Sequence, residues 1–229
     1  MSEWFKNFFS TEHAKLRDMT FKEKASYIWE YYKIPIIAAV VVLIVIGSII
    51  NTVWINPPKK MYLQIAFYGG YVDDSAISAV CGQLESGIMT PEDQQDMQIT
   101  GASFMNNSGD PQMDMMYQQK FAAMISGNEL DLLVTDANDL DDMVSQGILA
   151  PIKGYLSDSL LSQLSGKLLE APDENGVQDD YAIKLDENKF FDAGGLPTDG
   201  MCLGVIVNTN HADNVKSAIE YIYTTLYGT

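Results

Sequence analysis

Residues 34–55, IPIIAAVVVLIVIGSIINTVWI, contain no charge, and this run constrains the chain more than any other feature. As an α-helix a run of that length rises about 33 Å, which matches a bilayer hydrocarbon core of about 30 Å. The β-branched stretch 40–46 would favour strand in water. In lipid an isolated segment must satisfy its own backbone hydrogen bonds, so a helix is expected. Pro35 suits a first turn or a mild kink, and Pro57-Pro58 cannot continue the helix. Trp29, Tyr31 and Tyr32 on one flank and Trp54 on the other fit interfacial aromatic anchors.

Lys15, Arg17, Lys22, Lys24 and Lys33 lie upstream of the run, against Lys59 and Lys60 downstream, so the N-terminus is expected to stay cytoplasmic. A cleaved signal peptide fits less well. The run is longer than an h-region of about 7–15 residues, and no A-x-A-like site follows it. The expected layout is a single-pass protein of the cell membrane. Residues 1–33 form a cytoplasmic segment, 34–55 a transmembrane signal anchor, 56–60 a linker and 61–229 an extracytoplasmic domain.

The net charge of -17 divides unevenly over these parts. Residues 1–33 sum to +1, whereas 61–229 hold six basic and 26 acidic residues, for -20. That acidity excludes nucleic acid as a partner, because phosphate needs a clustered basic face. In the first segment, Thr20-Phe21-Lys22-Glu23 has capping-box spacing and predicts a helix start. Trp4, Phe5, Phe8 and Phe9 make an aromatic face that suits an in-plane membrane helix, a docking site or a disordered tail. Thirty-three residues are too few for an independent enzyme domain.

Residues 61–229 have a normal single-domain length. Residues 61–68 read as a strand ended by Gly69-Gly70, and 97–104 as a second. Between them Asp73 or Asp74 caps a helix with Ile77, Val80, Cys81, Leu84 and Ile88 on one face. Asp110-Pro111 starts another helix, with Met113, Met116, Phe121 and Met124 inward and Gly127 as its stop. Residues 130–136 are nearly all apolar, as in a strand covered on both faces. A short acidic helix (138–146) and a weak one (157–164) follow. Residues 170–180 read as a polar turn, 181–185 and 201–208 as strands, and 211–227 as a closing helix. The alternation predicts an α/β domain with a mostly parallel sheet.

The stretch FAAMISGNELDLLVTDANDLDDMVSQGILAPI (121–152) resembles the core of bacterial extracellular solute-binding proteins. GVIVNT (204–209) resembles the strand that returns the chain to the first lobe in that family, and FKEKASYIWEYYKIPII (21–37) resembles the opening of single-span membrane proteins of Gram-positive clostridia. The resemblance implies a periplasmic-binding-protein-like lobe. It also implies a binding or sensing role accessory to a transport system, with a sugar as the small solute and a transporter as partner. Only about 50 residues (152–200) separate the first-lobe strand from the returning one, too few for a normal second lobe, so a single truncated lobe is expected.

The sequence offers no G-x-S-x-G, H-E-x-x-H, Walker A or G-x-G-x-x-G motif, and no enzyme, cofactor or metal is expected. His211, at the start of the last helix, reads as a surface residue without an evident partner. The acidic turn 173–180 lacks EF-hand spacing. Cys81 and Cys202 read as two buried thiols or a disulfide. A ligand is expected where apolar strands end in turns: at Tyr68, Gly69 and Gly70, at Asp110, at Asp136 and at Asn208. Asp110 and Asp136 equally suit helix caps, and the glycines suit turns.

Overall fold

The computed structural model describes residues 20–55 and 57–224. Trp4, Phe5, Phe8, Phe9, His13, the side chain of Tyr31 and the end of the expected last helix lie outside the described residues. The chain divides into two compact units, Met1–Pro58 and Lys59–Thr229.

In the first unit, helix α1 (Phe21–Ile50) begins where the capping box predicts it. The Glu23 carboxylate accepts from both the backbone N–H and the hydroxyl of Thr20, each at 2.8 Å. Pro35 lies inside the helix, and α1 passes into a π-helical turn at Asn51–Ile55. Tyr32–Trp54 is long and apolar enough to cross a membrane. Trp29 and Trp54, at its ends, are 66% and 82% exposed.

The second unit is a mixed α/β body around one sheet. Its strands are β1 (Lys60–Gly69), β2 (Met97–Met105), β3 (Leu132–Asp136), β4 (Leu149–Ala150), β5 (Leu168–Pro172), β6 (Gln178–Lys184) and β7 (Met201–Ile206), in the order β2-β1-β3-β7-β6-β5 with β4 on β7. β1 pairs in parallel with both β2 and β3, while β7 runs antiparallel between β3 and β6. β4 and β5 also pair antiparallel to their neighbours, so five of the seven strands point one way and only β5 and β7 the other.

Side-chain alternation explains the two cores. Leu63, Ile65 and Phe67 of β1 enter one apolar cluster with Leu132 and Val134 of β3, while Ala66 and Leu133 enter the other. Helices α2 (Asp74–Ile88) and α8 (Ala212–Thr224) cover the first face; α4 (Pro111–Ser126) and α5 (Leu140–Ser145) cover the second. A sheet buried on both sides needs apolar residues at successive positions, which is why 130–136 lacks alternation. Asp73 caps α2 through Ser75 N–H at 2.8 Å, and Ile77, Val80, Cys81 and Leu84 are buried as their spacing predicts.

Several elements depart from the sequence reading. Residues 170–180 are not one turn: β5 and β6 form a hairpin whose turn is held by Asp173, which accepts from Asn175 N–H and Val177 N–H at 2.8 Å. Asp179 and Asp180 there engage Lys153, at 3.0 and 2.8 Å. The short helix α7 (Lys189–Ala193), capped by the buried Asn188, was not evident from periodicity because it makes little more than one turn. The remaining short helices are α3 (Asp93–Asp96) and α6 (Asp158–Leu164). In α4 only Phe121 is buried; Met113 and Met116 are exposed rather than inward. The residues of α4 that reach the core, Tyr117, Phe121, Met124 and Ile125, all lie in its C-terminal two turns or just before them. Cys81 and Cys202 are both buried and free, one in each core cluster, with the sheet between. Burial pushes each thiol up to about 12.

Candidate functional site

The carboxyl ends of β1, β2 and β3 lie along one edge of the sheet, and that edge gathers most of the expected site residues. Gly69, at φ 122°, ends β1 in backbone geometry that disfavours any side chain, and its carbonyl accepts from Asn106 N–H at 3.1 Å. Asp110 caps α4 by accepting from Gln112 N–H at 2.9 Å, with Pro111 as the first helical residue. Asp136 caps the 3-10 turn Ala137–Asp139, accepting from Asn138 N–H at 2.8 Å. Tyr68, Gly69, Gly70, Asp110 and Asp136 therefore share an edge, and both aspartates are engaged as caps.

Asn208 does not join them. β7 runs antiparallel to β3, so the residue after its end lies at the opposite edge. There its side-chain amide donates to the Ile125 carbonyl and to the Asn128 side chain, closing the turn after α4. Asn128 holds a left-handed conformation at φ 54°.

A groove of about 520 Å³ starts at Tyr68 and runs between α4 and α5. Gln118, Phe121, Ala122, Ile125 and Ser126 line it from α4; Met143, Gln146 and Ile148 line it from α5 and the residues beyond. None of these side chains carries a formal charge. The Tyr68 and Phe121 rings lie 4.9 Å apart at 37°, and Phe104 adds a further ring 5.1 Å from Phe121. The chemistry offered is an aromatic surface flanked by two neutral amides and a hydroxyl, which suits a neutral, hydroxyl-bearing solute.

Electrostatics around the mouth are acidic. Burial raises the Tyr68 hydroxyl above its ordinary pKa and Asp139 adds to the shift, against a side-chain hydrogen bond with Asn106. The Asp139 carboxyl is also held above its usual value, first by burial and then by Asp136 and Asp142. A phenol and a clustered carboxylate thus sit beside the groove without a basic partner in it.

The sequence pointed to Tyr68 through the strand-end rule and to Phe121 as a core residue. It missed Gln118, Ser126 and Gln146, because polar residues on a helix read as its solvent face. The groove lies on a flank of α4 beside the six-residue α5, a placement no spacing pattern reveals.

His211 also differs from expectation. Its Nδ1 lies 3.0 and 3.2 Å from the two carboxylate oxygens of Asp131, a side chain with no solvent exposure. Asp131 further accepts from Gln64 N–H at 2.8 Å and from the Thr209 hydroxyl. The group ties β1, the start of β3 and the turn after β7 together at the edge where β7 ends.

A second opening of about 590 Å³ is lined by Glu187, Lys189, Asp192, Pro197, Thr198 and Asp199. Within it Asp192 accepts from the Thr198 hydroxyl at 2.8 Å. Among the described residues no three His, Cys, Asp or Glu side chains converge to hold a metal ion.

No protein-family model matches the chain, and no curated protein matches it. Weak structural likeness runs to bacterial solute receptors. MalX from Streptococcus pneumoniae, solved with maltopentaose, is 17% identical at a TM-score of 0.30, over 53% of this chain and 27% of MalX. The solute receptor AcbH, described as having an exclusive preference for β-D-galactopyranose, is 16% identical at a TM-score of 0.30, over 54% of this chain and 28% of its own. The matched region thus spans little more than a quarter of either receptor.

Proposed function

We propose that this protein is a membrane-anchored binding domain that holds a small neutral solute, a sugar, in the groove between α4 and α5, and that it serves as an accessory or sensor of a transport system. Residues 34–55 anchor it, residues 1–33 stay cytoplasmic and residues 61–229 face outward. The protein acts by binding rather than by catalysis. The observation that carries the reading is the uncharged groove with the Tyr68–Phe121 ring pair beside Gln118, Gln146 and Ser126. Aromatic faces pack against the C–H face of a sugar ring, and amides exchange hydrogen bonds with its hydroxyls. The resemblance of 121–152 to solute-binding proteins supports the same class.

Calorimetry of the full chain in lipid nanodiscs, against mono- and oligosaccharides with peptides and amino acids as controls, tests it. A sugar is expected to bind, and Gln146→Ala is expected to weaken that binding about 10-fold, roughly the loss of one good hydrogen bond. Silence over the sugar panel, or binding unmoved by Gln146→Ala and Gln118→Ala together, removes this reading. A second reading, protein docking without a solute, draws on the exposed Met113, Met115 and Met116 of α4, an apolar surface that adapts readily to a partner.

A further inference from the structure

We propose that the free edge of β2 is a docking site for an extended segment of a partner protein, which adds to the sheet as a further strand. β2 is the last strand on its side and pairs only with β1. In a strand the backbone groups of alternate residues point to opposite edges. Ile99 identifies the outward set, because its N–H goes to Glu85 Oε1 of α2 at 2.7 Å instead of to β1. Gly101 and Ser103 fall in the same set, and among the described residues nothing takes up their outward N–H and C=O groups. The Ser103 hydroxyl is likewise buried and unpartnered.

The other edge of the sheet shows what protection looks like. β5 is short, carries Glu170 and ends in Pro172, features that deter strand addition. β2 has nine residues, MQITGASFM, with no charge and no proline. Its exposed backbone therefore specifies an extended chain as occupant, in the manner of strand addition by peptides. Charge refines that occupant. At the start of β2, Lys59 and Lys60 offset Asp93 and Asp96, with the Lys59 ammonium already donating to the Gln94 carbonyl at 2.6 Å. At its end, Asp110 and Asp114 follow, while Lys120 Nζ lies 5.6 Å from the centroid of the Phe104 ring, so it is the -20 summed over residues 61–229 that favours a basic segment. The fitting segment is uncharged and β-branched in its middle, with Lys or Arg at one end. A second copy of this chain is disfavoured: β2 itself has no basic residue, and two domains that each sum to -20 over residues 61–229 repel one another.

The site is independent of the groove ligand, and its test is separate. The full chain in nanodiscs is mixed with synthetic peptides of alternating Thr and Val carrying two lysines at one end or the other, and amide hydrogen exchange is read over β2. One of the two peptides is expected to slow exchange at Gly101 and Ser103 by about fivefold or more, as strand pairing does. Replacing its lysines by glutamates is expected to abolish the effect at low salt. Ser103→Pro removes only an outward N–H, a position where edge strands accept proline, and is expected to abolish it too. Should that variant not fold, a fully N-methylated peptide decides the matter, since it cannot donate to the edge. No slowing with either lysine peptide, or equal slowing with the N-methylated one, overturns the proposal. Protection that rises with protein concentration in the absence of peptide also overturns it, by assigning the edge to a second copy.

Discussion

Asp131 joins three pieces of chain that are far apart in sequence, and it does so with no solvent to share the load. Its carboxylate is fully buried, with donors from Gln64, Thr209 and His211. Removing a buried charge partner leaves the remaining polar groups unsatisfied, so Asp131→Ala is expected to cost about 3 kcal/mol in urea unfolding. Asp139 presents the reverse case. Its folded pKa is raised by burial, Asp136 and Asp142, so the folded state binds the proton more tightly than the unfolded one. The resulting stability is present below the ordinary carboxylate pKa and is lost as pH rises through the folded value. Asp139→Asn is therefore expected to raise the unfolding midpoint at pH 7 and to leave it unchanged at about pH 3, below the ordinary value near 3.9. Local chemistry of this kind was legible in part. Asp73, Asp110 and Asp136 could be placed as caps because a cap and its N–H lie two residues apart. The Asp131–His211 pair was not legible, since its partners meet only through the sheet.

Among the elements, α2 and β2 depend on each other at Gly101. A Cβ built there would lie 2.4 Å from Ile77 Cγ2 and 3.1 Å from the Phe67 ring. Gly101→Ala is thus expected to destabilise by about 1–3 kcal/mol, with Ile77→Ala in the same chain recovering part of the loss in a double-mutant cycle. In the sequence this glycine sat inside a strand pattern, and its reason, the close approach of α2, shows only in the packed structure. Helical spacing made α2 and α8 readable, and short apolar runs bounded by turns made β1, β2 and β3 readable. β5 and the start of β6 were missed because Glu170, Asp179 and Asp180 gave them a turn-like composition, although half-exposed strands tolerate such residues. α4 misled in the other direction: its methionines have helical spacing, yet the sheet below reaches only part of the helix.

For the molecule taken whole, charge is the property most exposed to conditions. Residues 61–229 carry -20, and the described residues give it few ion pairs, Lys153 with Asp179 and Asp180 among them. Self-repulsion of that size is screened over about 10 Å at 0.1 M salt. Raising NaCl from about 10 mM to 0.3 M is expected to raise the thermal unfolding midpoint by a few degrees; an unchanged midpoint would mean the charges are spread too far apart to matter. The sequence conveyed the α/β class and the charge-free span, whose signals are compositional. It did not convey which expected ligand residues share an edge, because that depends on β7 being reversed, and direction leaves no mark on a strand buried on both faces.

The reversed strand also fixes an order of events. β7 sits in the middle of the sheet, between β3 and β6, but is the last strand to be made. Until β7 is in place, β3 has no neighbour on one side and β6 has no attachment to β1 through β3. The growing chain must therefore wait, with an unclosed sheet, for a contact such as Leu132 with Val205 whose loop-closure cost falls due late. Folding should be slow and should wait for β7, and truncations short of β7 should yield aggregating chains rather than a smaller folded body.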